Sequence, residues 1–317
     1  MTFQSEILND PHYVPLLDHG FVGLVDSLGG DHSITRAARV SYGTGTKSVS
    51  SDRGLIRYLL RMGHSSPLEM CEFVFCIKLP IFVMRQVIRH RTMSTNEHSG
   101  RYSVMPDEFC LPDPNEIQPQ SATNRQGRAG AIDDVSKDGV TWLMQEAAEH
   151  AFQAYHVLLG ERAGGDDEHF DPYASDQPLL TGDFSGISRE LARTVLPVSG
   201  YTEAYIKMNL WNLFRFLRLR MDNHAQYEIR VYADAMYELI KPIVPLACEA
   251  FEDYILQSKT LSRMDQALLG HVMREVLPIQ SIETWIAQVD RDAIADRFGM
   301  SRREVVEFAA WLIAASA

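Results

Sequence analysis

The chain has 317 residues, of which 45% are hydrophobic, and a formal net charge of −12. That length suits one large domain or two ordinary ones, with enough apolar residues for a sizeable core. The acidic balance argues against general binding to nucleic acid or to a membrane surface, both of which need broad positive potential, so any anion site must be a local basic pocket.

In chain order, residues 51–62, SDRGLIRYLLRM, predict an amphipathic helix capped by Ser51 or Asp52, with Leu55, Ile56, Leu59 and Leu60 as its apolar stripe. Gly63 suits the position just past its end. After the turn-like HSSPLEM (64–70), residues 71–79 carry apolar groups at every odd position and read as a strand. Pro80 suits the first turn of a short helix through IFVMRQVIR, 81–89. The next stretch, RHRTMSTNEHSGRY (89–102), has no sustained apolar period and is expected on a loop. Residues 106–137, rich in Pro, Asp, Asn, Gln and Gly, read as an irregular insertion, followed by a helix over 138–160 and a polar connection over 164–186. Residues 187–197 predict a helix stopped near Pro197, then a short segment open to a strand reading. A helix over 209–221 shows Leu210, Leu213, Phe214 and Leu217 on one face, and a further helix is expected over 224–245. From about residue 260 the chain reads as helical and separate in character.

No apolar run is long enough to span a bilayer, and MTFQSEILND has neither the basic nor the apolar region of a signal peptide. Cys71, Cys76, Cys110 and Cys248 form no C-x-x-C pair, which suits buried thiols in a reducing compartment. A cytoplasmic protein is expected.

The chemistry concentrates in residues 89–102, where the cations are Arg89, Arg91 and Arg101 beside His90 and His98. A solvated surface usually mixes Lys with Glu, whereas Arg is the residue of planar, bidentate anion recognition. Arg220 points the same way: Leu217, Leu219 and Met221 surround it in sequence, and an Arg in apolar surroundings needs a fixed partner. Arg218 reads as an ordinary solvated arginine. No metal is expected, because His64, His90, His98 and His224 lack ligand spacing. Walker-type, Rossmann-type and G-x-S-x-G motifs are absent. What remains is a loop-built anion pocket with several arginines, suited to nucleotide phosphates.

Residues 89–102 match the R-H-R-x-x-S-x-N-x-x-S-x-R-Y signature of the flavin-dependent thymidylate synthases through Arg89, His90, Arg91, Ser94, Asn96, Ser99, Arg101 and Tyr102. ARVSYG near residue 38, HSSPLEM, PIFVMRQ, ARTVLP and LRMDNHAQYEIR also resemble that family's blocks, in its order, over roughly residues 30–255. The resemblance implies an α+β fold, with helices packed on a small curved antiparallel sheet, assembled as a homotetramer with active sites shared between subunits. It implies a catalytic domain, set at 1–258 with an insertion at about 106–185, and says least about 259–317, which the residue pattern makes a helical C-terminal extension. The implied reaction is conversion of dUMP to dTMP, with methylenetetrahydrofolate as carbon donor and NADPH as reductant through bound FAD, without a cysteine nucleophile. Gln86, Arg89, Glu97, Ser99, Gly100, Arg101, Arg193, Leu219 and Arg220 match the family's dUMP positions. Ser41, Ser66, Arg89, His90, Arg91, Thr92, Asn96, Glu97, Asn209, Arg215, Leu219 and His224 match its FAD positions. Arg220 is the implied catalytic residue. Trp211 stands where some members have arginine, and Arg215 where some have asparagine. Arg215 is therefore expected to supply the flavin contact from one turn further along, with Trp211 packing or stacking.

Two rival readings are a helical oligomer with a charged loop, and a nucleotide-binding regulator that has lost catalysis. In the tail, AIADRFGMSRREVVEF places Ala295, Gly299 and Val305 at helix-turn-helix spacing. An ordinary helical hairpin is favoured over DNA binding, because the tail is only modestly basic and the chain is acidic. Neither nucleic acid nor membrane is expected as a partner.

Overall fold

A computed structural model describes residues 13–40, 51–122, 127–161, 180, 183–276, 284–285 and 287–316. Ser41, one of the expected FAD positions, lies outside them. The fold is α+β. Five strands form one antiparallel sheet: β1 (Tyr13–Leu16), β2 (Gly20–Leu28), β3 (Glu72–Pro80), β4 (Ser94–Glu97) and β5 (Tyr201–Asn209), in the order β1-β2-β3-β5-β4. The pairs run from Tyr13↔Gly23 at one edge to Glu97↔Ala204 at the other, with a bulge in β2 between Leu24 and Asp26.

The centre is the β3–β5 ladder, in register from Glu72↔Asn209 to Pro80↔Tyr201. Phe73, Phe75, Ile77 and Leu79 alternate onto one face and are fully buried, as the period of 2 requires. Cys76 and Lys78, on the other face, are buried as well, so this strand is covered on both sides. Tyr232 donates from its hydroxyl to the Lys78 carbonyl at 2.7 Å.

Helices α1 (Asp31–Val40) and α2 (Asp52–Arg61) precede β3; α3 (Ile81–Val87) follows it. Ser51 caps α2 through Gly54 N (3.2 Å), and Gly63 takes φ +71° just beyond its end, as the sequence predicts. Pro80 closes β3 and precedes α3, one residue outside the helical turn expected for it. A long helix α4 (Asp134–Leu158) crosses the expected insertion, and its buried residues lie in its C-terminal half, with Phe152 and Tyr155 packed against Met105 and Ala192. The helix expected over 187–197 is a four-residue α5 (Arg189–Ala192) continued by a 3-10 turn, Arg193–Val195. Helix α6 (Leu210–Arg220) follows β5 directly, capped by Asn209, which accepts from Asn212 N at 3.0 Å. The single helix expected over 224–245 is two, α7 (Tyr227–Ile240) and α8 (Pro245–Phe251). Pro242 and Pro245 cannot donate to a continuing helix, and Pro245 opens the second one instead.

The main core joins β2, β3 and β5 to α2, α6, α7 and α8, with Phe214 and Phe251 stacked at 4.2 Å. A π-helical turn (Glu252–Leu256) leads to α9 (Arg263–Val276), α10 (Arg291–Phe298) and α11 (Arg302–Ser316). Gly299 takes φ +65° between α10 and α11, and Ser301 and Glu304 cap α11 reciprocally. This hairpin docks on α2. Arg57 donates to the Gly299 carbonyl (3.4 Å), Arg61 pairs with Glu307, Tyr254 donates to Glu304, and Arg303 lies over the Tyr58 ring.

Because Phe251 is completely buried and stacked, Phe251→Ala leaves a cavity worth about 3–5 kcal/mol. A urea midpoint unchanged from wild type would show that this layer does not carry the core.

Candidate active site

Residues 89–102 were expected on a loop. The structure places Ser94–Glu97 on β4, an edge strand paired to β5 through Ser94↔Lys207, Thr95↔Ile206, Asn96↔Tyr205 and Glu97↔Ala204. All four β4 residues are exposed. The pairing is a backbone matter, so polar side chains on both faces left no apolar period to read.

Arg220 ends α6 and meets the end of α3. It donates from Nε to His90 Nε2 (3.1 Å), from Nη1 to Gln86 Oε1 (3.4 Å) and from Nη2 to the Gln86 carbonyl (3.2 Å). That carbonyl belongs to the last turn of α3, so the guanidinium also caps a helix C-terminus. A guanidinium has five N–H donors, and these bonds leave about two of them for a ligand. Burial pulls Arg220 below the ordinary guanidinium pKa. Burial also pushes His90 down to about 4, with the Arg220 and Arg215 charges adding to it. His90 is therefore neutral and accepts at Nε2, and its ring packs edge-on against Phe216 at 4.9 Å. Gln86 completes the cluster by donating from Nε2 to Gln226 Oε1 (2.7 Å).

A second grouping lies further along the motif. Gly100 is buried, and a Cβ there would stand 2.9 Å from Met105 Sδ and 3.2 Å from Arg193 Cδ, so glycine lets Arg193 lie across the loop. Arg101 is paired with Glu190 of α5, Nη2–Oε2 2.8 Å. The Arg101 amide donates to Ser99 Oγ at 3.4 Å, and Thr202 donates to Glu97 Oε1 at 2.9 Å.

Of the expected dUMP positions, Gln86 and Arg220 thus stand together, as do Gly100, Arg101 and Arg193 through α5. Leu219 is 59% exposed, beside Arg220 in sequence. Of the expected FAD positions, His90 belongs to the Arg220 cluster, while Arg89, Arg91, Thr92, Asn96 and Arg215 are exposed. Among the described residues, Arg89, Arg91, Arg193 and Arg215 have no carboxylate partner. Asn209 spends its side-chain oxygen on the α6 cap. Ser66 is exposed, two residues before the Leu68–Met70 turn, and His224 is exposed and hydrogen-bonds Asp222 Oδ1 at 2.8 Å. Trp211 packs against the main core. Glu190 and Thr202 carry no signal in the sequence; Gln226 stands out there with Asp222, Asn223 and His224 at a helix boundary, but without a role.

All four cysteines are buried free thiols. Burial raises Cys71 to about 11 and Cys76, Cys110 and Cys248 to about 12, so none is a thiolate at neutral pH. Among the described residues no group of His, Cys, Asp and Glu could hold a metal, and no helix is long and apolar enough to cross a membrane.

The fall of His90 from 6.5 to about 4 sets a pH dependence. Between those values the unfolded chain binds a proton that the folded chain does not, so folding stability drops as pH falls through this window. His90→Gln keeps an acceptor for Arg220 and should flatten that part of the dependence. Identical slopes of urea midpoint against pH, for variant and wild type, would refute it.

The model of the thymidylate synthase complementing protein family matches residues 23–246. The flavin-dependent thymidylate synthase of Rickettsia prowazekii (strain Madrid E) is 49% identical over 264 residues, covering 82% of this chain and 85% of that protein. The one from Gluconobacter oxydans (strain 621H) is 44% identical over 301 residues, covering 95% of this chain and 88% of that protein. Among solved structures, the UMP/dUMP methylase PolB from Streptomyces cacaoi, bound with 5-Br dUMP, superposes with a TM-score of 0.63 at 33% identity, covering 78% of this chain and 100% of that one. These matches cover most of the chain, and the chain belongs to the flavin-dependent thymidylate synthase family of enzymes.

Proposed function

We propose that this enzyme methylates dUMP to dTMP, taking the carbon from methylenetetrahydrofolate and reducing equivalents from NADPH through bound FAD. The observation that carries the reading is Arg220, a part-buried guanidinium held by a neutral histidine and an amide, with donors to spare. The 5-Br dUMP bound by the related methylase supports the nucleotide class.

The residues present fit FAD. Arg89, Arg91 and Arg215 are exposed cations with no carboxylate partner among the described residues, the donor set that a diphosphate needs. Asn96 and Thr92, and His224 and Ser66 from other loops, would supply further polar contacts. FAD, when bound, would carry the reducing equivalents of NADPH to the transferred carbon. Arg101, Arg193, Ser99 and the Gly100 backbone would take the dUMP phosphate, which must displace Glu190 from Arg101. Arg220 would then face the pyrimidine. Its fixed donors stabilise negative charge developing on the ring, an effect of about 3–4 kcal/mol for one well-placed donor. With every thiol buried and protonated, ring activation rests on this charge rather than on a covalent adduct.

The exposed β4 edge and the exposed Arg89, Arg91, Arg215 and His224 support a site completed by further copies, which we read as a homotetramer. Catalysis is assigned to residues 1–258 with their insertion, and 259–317 to an extension.

The purified protein should be yellow, bleach with NADPH, and form dTMP from dUMP only with methylenetetrahydrofolate. Arg220→Lys keeps a charge but loses the planar fork, and should lower turnover by at least about tenfold with flavin retained. Wild-type turnover in that variant would defeat the electrostatic account. Arg101→Ala should weaken dUMP binding by about tenfold or more, the worth of a charge-assisted hydrogen bond. Calorimetry showing equal affinity would take Arg101 out of the phosphate site.

A further inference from the structure

We infer that Gln226 is a positioning residue for the reaction, acting through the amide of Gln86 to hold Arg220; the inference rests on the dUMP reading above. Arg220 has only donors to offer, so the Gln86 atom facing it must be the oxygen. Gln86 Oε1 accepts from Arg220 Nη1 at 3.4 Å, which turns the Gln86 NH2 away from the cation. That NH2 finds its acceptor in Gln226 Oε1 at 2.7 Å. The chain of bonds has one allowed polarity. Without an acceptor at residue 226, the Gln86 NH2 loses its shorter bond, and the amide is held in this orientation by its 3.4 Å contact with Arg220 alone.

Gln226 is itself braced. Its carbonyl accepts from Ile229 N (3.2 Å) and Arg230 N (3.1 Å) at the start of α7. Two residues on, Glu228 is only 6% exposed and accepts from Arg128 Nη2 at 3.1 Å. Arg128 also donates to the Glu116 carbonyl at 2.8 Å, so the segment after the motif is tied to the start of α7. The acceptor facing Gln86 therefore sits on a pinned helix start.

The test is a double-mutant cycle. Gln226→Met removes the acceptor at similar length; Gln226→Glu retains it. Turnover should fall by about tenfold in Q226M, with kcat and kcat/KM falling together, and recover in Q226E. Because the effect passes through Gln86, Q86M/Q226M should be no slower than Q86M alone. Wild-type kcat in Q226M, failure of Q226E to recover, or additive losses in the double variant would each overturn the inference. Q226A enters the same cycle if Q226M melts early. Thermal unfolding gives a second cycle that needs no substrate. Coupling there with an inactive wild type would defeat the dUMP reading and leave the amide relay standing; an active wild type with no coupling in either cycle would do the opposite.

Discussion

The β3–β5 ladder is the constraint on which the site depends. Both strands run without a loop into a helix, β3 into α3 at one end of the ladder and β5 into α6 at the other. The ends of these helices meet, because Arg220 bonds Gln86 and His90. Seven and eleven helical residues give about 10 and about 16 Å, together close to the span of a nine-residue strand at about 3.4 Å per residue. With both helices folded back along the ladder, their lengths suffice for Arg220 to reach the end of α3. His90 lies there, four residues before β4, which returns to the middle of β5.

That convergence also explains the electrostatics. Two helix C-termini, each the negative end of a dipole, point at the place where the cations gather. A chain with net charge −12 can thus hold Arg89, Arg91, Arg215 and Arg220 close together in sequence or space without a carboxylate partner among the described residues. Further along the motif the balance differs: Glu190 sits on Arg101, so part of the anion site carries its own counter-charge.

Much of this was legible in the sequence because it lives in residue chemistry and local period. The arginine motif, the Ser51 cap, Gly63 past α2, the odd-numbered face of β3 and the apolar face of α6 are all local signals. The β4 strand was not legible, since its partner is more than a hundred residues away and its own side chains are all polar. The first two strands carry Gly20, Gly23 and a bulge, which blur the period of 2. The break between α7 and α8 is marked in the sequence by Pro242 and Pro245, but the apolar period runs on through both. Gln226 and Glu190 acquire their meaning only from residues brought to them across 140 and 89 positions of chain.

The hairpin at the C-terminus leans more on charged side chains than the main core does. Its bond to α2 runs largely through Arg57, Arg61, Arg303, Glu304 and Glu307, with Ala295, Val305 and Ala309 as its buried apolar residues. The body of the fold is held by stacked phenylalanines and aliphatic strands. Added sodium chloride screens exposed ion pairs, and sulfate strengthens apolar burial. The clasp consequently has two grades: chloride weakens the partly exposed Arg61–Glu307 pair and spares the buried Arg57 and Glu304, while sulfate tightens the core.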